Sequence, residues 1–218
     1  MRRMKNEGDK MTPIQIIGIG DDGAHGLPAK RIAVVESADV LVGGRRHLAF
    51  FPDAGTERIE VGSNLKEVAA RIDGASADGL RVVVLASGDP LFYGLGGYLV
   101  GKLGVERVVV HPHVSAMQVA FARLGQPWHA AALVSLHAKP IEDLKPPIER
   151  GATPIGIFTD ETNTPNAIAR YVIGMGGGYS ASVCENLDGE DERVWAGSLE
   201  QMVEESFAPF NVVILRHL

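Results

Sequence analysis

A glycine-rich motif, Gly18-Ile19-Gly20-Asp21-Asp22-Gly23, directly follows an apolar segment that begins at Ile14. Its G-x-G-x-x-G spacing is typical of dinucleotide-binding domains, where glycines let the backbone approach a pyrophosphate. Such domains also carry an acidic residue about 20 positions further on, but the stretch there is Val42-Gly43-Gly44-Arg45-Arg46 and has no carboxylate. Asp21 and Asp22 also bring negative charge to the pyrophosphate position. Two interpretations stay open: a tight turn without a ligand, and an NADP-dependent reductase that uses Arg45 or Arg46.

A second motif, Ser87-Gly88-Asp89-Pro90, follows the strand predicted over residues 81–86. The residue before a proline is held extended, so the Asp89 carboxylate is expected to project from the end of the sheet. There it could accept hydrogen bonds from a ribose or attract a cationic ligand. The alternative is that Asp89 caps the next helix, with Pro90 at the first helical position.

The histidines and the single cysteine are residue types that can bind a metal ion. His111 and His113 are two positions apart, but zinc needs further ligands at ordered spacing, and the sequence offers none nearby. We therefore predict no metal site. His137 could bond a substrate carboxylate or move a proton, or it could be a structural histidine. Cys184 is the single cysteine of the sequence, which excludes a disulfide within the chain, and it is expected to be a small core residue.

The composition excludes several classes of protein. The 218 residues carry a net charge of −6, whereas a non-specific nucleic-acid binder needs positive charge to release counterions. No apolar run approaches the ~20 residues that span a bilayer, so no membrane contact is expected. Residues 1–10 are charged and lack an apolar stretch behind them. We predict a disordered extension there and a cytoplasmic protein.

The pattern of apolar segments predicts an α/β fold in two lobes, over residues 11–113 and 114–218. In the first lobe, continuous apolar strands alternate with helices, which favours a mostly parallel sheet covered on both faces. The predicted strands cover residues 14–18, 39–43, 57–61, 81–86 and 107–111. Ser63 is expected to cap one helix, and another is predicted over residues 91–103.

The second lobe is expected to contain a mixed sheet. A hairpin of residues 180–184 and 192–196 is predicted around Asp188-Gly189-Glu190. Further strands are predicted over residues 133–136, 155–159 and 211–216. Thr164 and Pro165 should begin a helix, and Ser198 with Gln201 should form a capping box for the last one.

Taken in order, the motifs resemble those of the tetrapyrrole (class III) S-adenosylmethionine-dependent methyltransferases. Within that family the chain is most similar to the branch that methylates the C5 meso carbon of a late corrin precursor in cobalamin biosynthesis. The matching pieces are Gly18-Ile19-Gly20, Gly43-Gly44-Arg45-Arg46-His47, Ser87-Gly88-Asp89-Pro90, Pro112-His113-Val114-Ser115, Ser135-Leu136-His137, Asn163-Thr164-Pro165, Cys184-Glu185-Asn186-Leu187 and Asn211-Val212-Val213.

The resemblance implies that S-adenosylmethionine binds in a cleft between two α/β lobes and leaves as S-adenosylhomocysteine. The implied cofactor-binding residues are Asp21, Ser87, Gly88, Asp89, Phe92, Ser115, Ala116, Leu136, Thr159 and Leu187. No catalytic side chain is required, because the sulfonium methyl is already activated and catalysis can rest on positioning. His113 stands where the family has glycine, so a residue other than glycine must take a turn conformation there, and the local backbone stays open.

The implied substrate is an anionic tetrapyrrole, precorrin-7 or its cobalt form. Basic residues at the strand ends are the candidates for its carboxylates: Arg45, Arg46, His47 and His137. For Arg45 and Arg46 the alternative is a solvated loop. The resemblance also implies a homodimer, and we expect the C15-methylating and decarboxylating activity of the pathway on a separate chain. The alternatives are a methyltransferase of the same fold acting on another ring carbon, the NADP-dependent reductase, and a pure binding module.

Overall fold

The computed structural model describes residues 11–54 and 57–218. The chain divides into two compact units, of which the first ends at Ser115 and the second spans Ala116–Leu218. The extension predicted over residues 1–10 lies outside the described residues. No helix in the described part of the chain is long and apolar enough to cross a membrane.

The first unit contains a five-stranded sheet in which every pairing is parallel, as predicted. The strand order is β3-β2-β4-β1-β5. Two apolar clusters of buried residues share its strands, which explains why the strands are continuously apolar rather than alternating. The strands are β1 (Ile14–Ile19), β2 (Val40–Gly43), β3 (Glu57–Glu60), β4 (Val82–Ser87) and β5 (Val108–His111).

The helices of the first unit correct three details of the prediction. They are α1 (Ala29–Glu36), α2 (Arg45–Ala49), α3 (Leu65–Ala77) and α4 (Leu95–Leu103). Asn64 rather than Ser63 caps α3, because its side chain accepts the Glu67 N–H at 3.3 Å. The helix predicted from residue 91 begins only at Leu95, since the preceding turn holds Tyr93 at a left-handed φ of 57°. Arg45 and Arg46, for which a solvated loop was the alternative, begin helix α2.

The second unit contains a mixed sheet with the order β6-β7-β10-β8-β9, as predicted. Only β6 and β7 pair in parallel, and the hairpin of β8 and β9 is antiparallel. The predicted capping box of Ser198 and Gln201 begins the last helix. The elements are α5 (Ala116–Arg123), β6 (Ala132–Ser135), α6 (Lys145–Glu149), β7 (Ile155–Phe158), α7 (Pro165–Gly174), β8 (Tyr179–Glu185), β9 (Arg193–Ser198), α8 (Leu199–Glu204) and β10 (Asn211–His217).

Candidate functional site

The loops that follow β1, β4 and β5 meet at one edge of the parallel sheet. Parallel pairing brings the carboxyl ends of these strands together, and Ile19 is in register with Ser87. The Gly88 N–H donates to the Ile19 carbonyl at 2.9 Å, and the His113 N–H donates to the Gly88 carbonyl at 3.2 Å. In open α/β sheets, ligands bind at the carboxyl ends of the strands. This edge is therefore the candidate site of the first unit.

The spacing of the glycine motif has an explanation within the fold. A Cβ on Gly18 would lie 2.0 Å from the Gly88 carbonyl oxygen, and Gly23 has a left-handed φ of 61°. The motif does not open an α-helix, because a 3-10 turn over Gly23–Gly26 comes first and α1 begins only at Ala29. Dinucleotide-binding sheets have the order 3-2-1-4-5, whereas here β1 lies between β4 and β5. The structure therefore disfavours the dinucleotide interpretation.

Gly88 lies against Ser115, which is another predicted cofactor-binding residue. Its φ is 56°, and a Cβ on it would lie 2.9 Å from the Cα of Ser115, which is buried. The neighbouring His113 does not adopt a left-handed φ, so its place in the turn does not require glycine. Its Nε2 instead lies 3.3 Å from the Gly26 carbonyl oxygen.

Asp89 organises the turn that follows β4. Its Oδ1 accepts the Leu91 N–H at 2.9 Å, and its carbonyl accepts the Phe92 N–H at 3.0 Å. The alternative that Asp89 caps α4 is wrong, because Gly94 occupies the N-cap position. Asp89 is half-buried, and its Oδ2 accepts no hydrogen bond from the part of the chain that the structure describes. The carboxylate can therefore bond a ligand as well.

Helix α2 connects two of these loops. The Arg46 guanidinium forms an ion pair with Asp21 at 2.8 Å, and the His47 Nε2 lies 3.2 Å from the Ser87 hydroxyl oxygen. Arg45 points to solvent, with 86% of its side chain exposed, and pairs with Glu60 at 3.3 Å. Both arginines are thus exposed, but only Arg46 pairs with a residue of the candidate site. His47 is buried, and burial together with the nearby Arg46 charge lowers its pKa to about 4.

In the second unit, Leu136, Thr159 and Leu187 lie at one edge of the mixed sheet. They follow β6, β7 and β8, which all run in the same direction. The Thr159 hydroxyl donates to the Asn211 carbonyl oxygen at 3.0 Å, and Leu187 is buried. Ala116, the first residue of α5, is exposed. The structure thus brings the three predicted pocket residues of this unit to one edge.

The loop that contains Leu187 is held by ion pairs. Arg123, at the end of α5, donates to Asp188 at 2.7 Å and to Glu192 at 2.5 Å. Residues on both sides of Leu187 have left-handed φ angles, 47° at Asn186 and 61° at Asp188. The ion pairs of Arg123 therefore hold a loop whose backbone conformation is uncommon for residues other than glycine.

Asp160 is a structural centre that the sequence analysis missed. Its carboxylate accepts the N–H groups of Ala138 at 2.8 Å and of Asn163 at 2.6 Å. Burial alone raises its pKa, but these N–H donors outweigh burial, so the pKa of Asp160 is lowered. The Asn163 amide donates to the Leu136 carbonyl at 2.9 Å. In the sequence, only the Asp-x-x-Asn spacing of Asp160 and Asn163 indicated that these two side chains would hold the loop of the exposed His137.

Other candidate residues are accounted for within the fold. The His111 Nε2 lies 2.7 Å from the Gln15 side-chain oxygen. Cys184 is fully buried, and burial raises its pKa to about 11. Among residues 11–54 and 57–218, no group of three or more His, Cys, Asp and Glu side chains could hold a metal ion.

Comparison with known proteins assigns the chain to a family. Residues 13–203 match the family model of Tetrapyrrole (Corrin/Porphyrin) Methylases, and the chain belongs to this family. A cobalt-precorrin-7 C(5)-methyltransferase of Salmonella typhimurium is 36% identical over 186 residues, covering 83% of this chain and 88% of the relative.

Two further matches define what the chain is similar to. A decarboxylating precorrin-6Y C(5,15)-methyltransferase of Mycobacterium tuberculosis is 34% identical over 215 residues; the match covers 94% of this chain and 52% of the relative. This chain therefore spans about half of that protein. The solved uroporphyrin-III C-methyltransferase of Thermus thermophilus, in complex with S-adenosylhomocysteine, has a TM-score of 0.73 at 24% identity. That match covers 94% of this chain and 97% of the other.

Proposed function

We propose that this chain transfers a methyl group from S-adenosylmethionine to the C5 meso carbon of cobalt-precorrin-7 or metal-free precorrin-7. The observation that carries the proposal is the similarity to the Salmonella C(5)-methyltransferase along most of both chains. The Gly-Gly-Arg-Arg-His segment, which resembles the C5 branch, is part of the candidate site through the contacts of Arg46 and His47.

The same proposal assigns cofactor contacts to residues at the edge of each sheet. In the first unit, the Asp89 carboxylate has an oxygen available for a ribose hydroxyl or for a positive charge. The remaining residues that would hold the cofactor are Asp21, Ser87, Gly88, Phe92, Ser115, Ala116, Leu136, Thr159 and Leu187. When bound, S-adenosylmethionine supplies a methyl group activated by its sulfonium charge. The protein's own contribution is orientation and exclusion of water, to which buried Leu136 and Leu187 are suited.

The tetrapyrrole would be held through its carboxylates by basic side chains. Arg45 and His137 are exposed, and the exposed ion pair of Arg45 with Glu60 is weak enough to be exchanged for a substrate carboxylate. The Arg46 guanidinium has 43% of its side chain exposed while it pairs with Asp21. His47 belongs to the same segment, but its burial favours an internal role.

The proposal extends to the surroundings of the reaction. We infer a homodimer that works in the cytoplasm together with a C15-methylating, decarboxylating activity. The Mycobacterium relative, of which this chain spans about half, is a decarboxylating C(5,15)-methyltransferase, which supports the pairing of the two activities. Light scattering on the purified protein tests the dimer, which should have twice the mass of one chain.

The first experiment is calorimetric titration with S-adenosylhomocysteine and, in parallel, with NADPH. We expect binding of the former only; binding of NADPH only would favour the reductase. Incubation with cobalt-precorrin-7 and ¹³C-methyl S-adenosylmethionine should then give a product whose ¹³C-methyl group is bonded to C5, as read by NMR. A ¹³C-methyl group on another ring carbon would favour the alternative methyltransferase of the same fold.

Asp89→Asn is the matched test of the cofactor site. It keeps the side-chain shape but removes the charge, and hydrogen bonds to charged groups contribute about 1.5–3 kcal/mol. We therefore expect affinity for S-adenosylhomocysteine to fall by about tenfold or more. Asp53→Asn, at an exposed position, is the control and should bind like the wild type.

A further inference from the structure

Helix α2 carries two neighbouring residues that contact different loops of the candidate site. Consecutive residues on a helix do not face the same direction, so Arg46 can pair with Asp21 while His47 contacts Ser87. One contact reaches the loop after β1 and the other reaches the end of β4. A small displacement of α2 would therefore disturb both loops together.

The C-terminal end of α2 is fixed by hydrogen bonds from the sheet. With only five residues, α2 is too short to be stable alone. Arg58, on β3, donates from its guanidinium to the Leu48 carbonyl, to the Phe51 carbonyl at 2.7 Å and to the Ala54 carbonyl at 2.9 Å. These bonds hold the end of the helix and the turn after it against the sheet.

The contact between His47 and Ser87 joins a buried ring to an exposed residue. His47 is 8% exposed, whereas Ser87 is exposed at the end of β4. A serine hydroxyl has one donor and two acceptor positions, so one bond to the imidazole fixes its orientation and leaves the others for a ligand. The charged groups that act on the ring are Arg46 and Asp21, which pair with each other.

We propose that His47 is a positioning residue of the cofactor site: its Nε2 fixes the Ser87 hydroxyl in the orientation that meets the bound cofactor. The inference rests on the proposed function, because it takes Ser87 as a cofactor contact. It assigns to His47 a role different from direct contact with substrate carboxylates.

The test is a double-mutant cycle read by calorimetric titration with S-adenosylhomocysteine. The His47→Asn amide ends near the position of Nδ1 and falls short of Ser87, whereas the His47→Gln amide reaches the position of Nε2. We expect His47→Asn and Ser87→Ala each to weaken binding about fivefold, the equivalent of one hydrogen bond. The double variant should lose no more than either single one. His47→Gln should regain most of the affinity.

The outcomes separate this inference from the function on which it rests. Losses that add in the double variant, or a His47→Gln variant as weak as His47→Asn, would mean that His47 does not act through the Ser87 hydroxyl and would overturn the inference. If the wild type does not bind S-adenosylhomocysteine, the proposed function fails and the inference fails with it. Circular dichroism of every variant verifies the fold, and Ser87→Ala, at an exposed position, keeps the test valid if His47→Asn does not fold.

Discussion

Burial of His47 should make the stability of this protein depend on pH in a defined window. Its pKa is lowered from 6.5 to about 4, by burial first and by the charge of Arg46 second, while Asp21 opposes the shift. Between these values the unfolded chain binds a proton that the folded protein does not. The free energy of unfolding therefore falls as the pH drops from 6.5 towards 4.

The size of this effect follows from the two pKa values. Each pKa unit corresponds to about 1.4 kcal/mol, so the full window of about 2.5 units is equivalent to about 3.4 kcal/mol. From about pH 7.5 to about pH 5, His47 alone should remove about 2 kcal/mol of stability. The ring in the folded protein stays mostly neutral at pH 5; only below about pH 4 would it carry a charge beside Arg46, and a protonated Nε2 could then only donate to Ser87.

The assay is urea unfolding of the wild type and of His47→Gln at both pH values. Glutamine does not titrate, so the other ionisable groups cancel when the two proteins are compared. The wild type should lose about 2 kcal/mol more than the variant between the two pH values. Equal losses would refute the reasoning, because they would mean that His47 titrates alike in the folded and unfolded chains.

Three further predictions concern packing, reactivity and loop order. Gly18→Ala should destabilise the protein by about 3 kcal/mol in urea unfolding, because its Cβ would lie 2.0 Å from a backbone oxygen. The control Gly101→Ala, at a helical position with open space around it, should stabilise the protein by up to about 1 kcal/mol. Equal effects of the two substitutions would contradict this prediction. Cys184 should react with a thiol reagent at about pH 8 far more slowly in the folded protein than in guanidinium, because it is buried; equal rates would mean that the site opens. Arg123→Met should speed hydrogen exchange of the backbone over residues 186–192 with little change in the unfolding midpoint, since it removes the ion pair to Glu192. Unchanged exchange would show that the loop is ordered without this ion pair.

The local signals of the sequence were sufficient for most of the fold. Continuous apolar runs predicted the parallel sheet because its strands are buried on both faces, and the turn around Gly189 predicted the antiparallel hairpin. Helix α2 was missed because its sequence, Arg45-Arg46-His47-Leu48-Ala49, has no apolar period. Bonds from Arg58 hold it, and a contact of that kind leaves no local pattern.

The sequence proposed a set of candidate site residues but not how they are arranged. The family resemblance named Asp21 and Ser87, and the Ser-Gly-Asp-Pro motif named Asp89 because proline marks the end of the strand before it. They did not predict that His47 would reach Ser87, 40 residues away, since that contact depends on which strands are neighbours. The orientation of His47 towards the interior rather than towards solvent follows from the same packing.

The glycine motif shows why a short pattern cannot separate two functions that both require it. Gly18 is needed here because the chain itself approaches, with the Gly88 carbonyl where a side chain would be. In a dinucleotide-binding domain the same residue type is needed because a pyrophosphate approaches. The residue type is the same in both cases, so the sequence of the motif alone cannot distinguish them. The strand order distinguishes them: with β1 between β4 and β5, the loop after β1 packs against the Ser87-Gly88-Asp89 turn, and the site must be read from those two loops together.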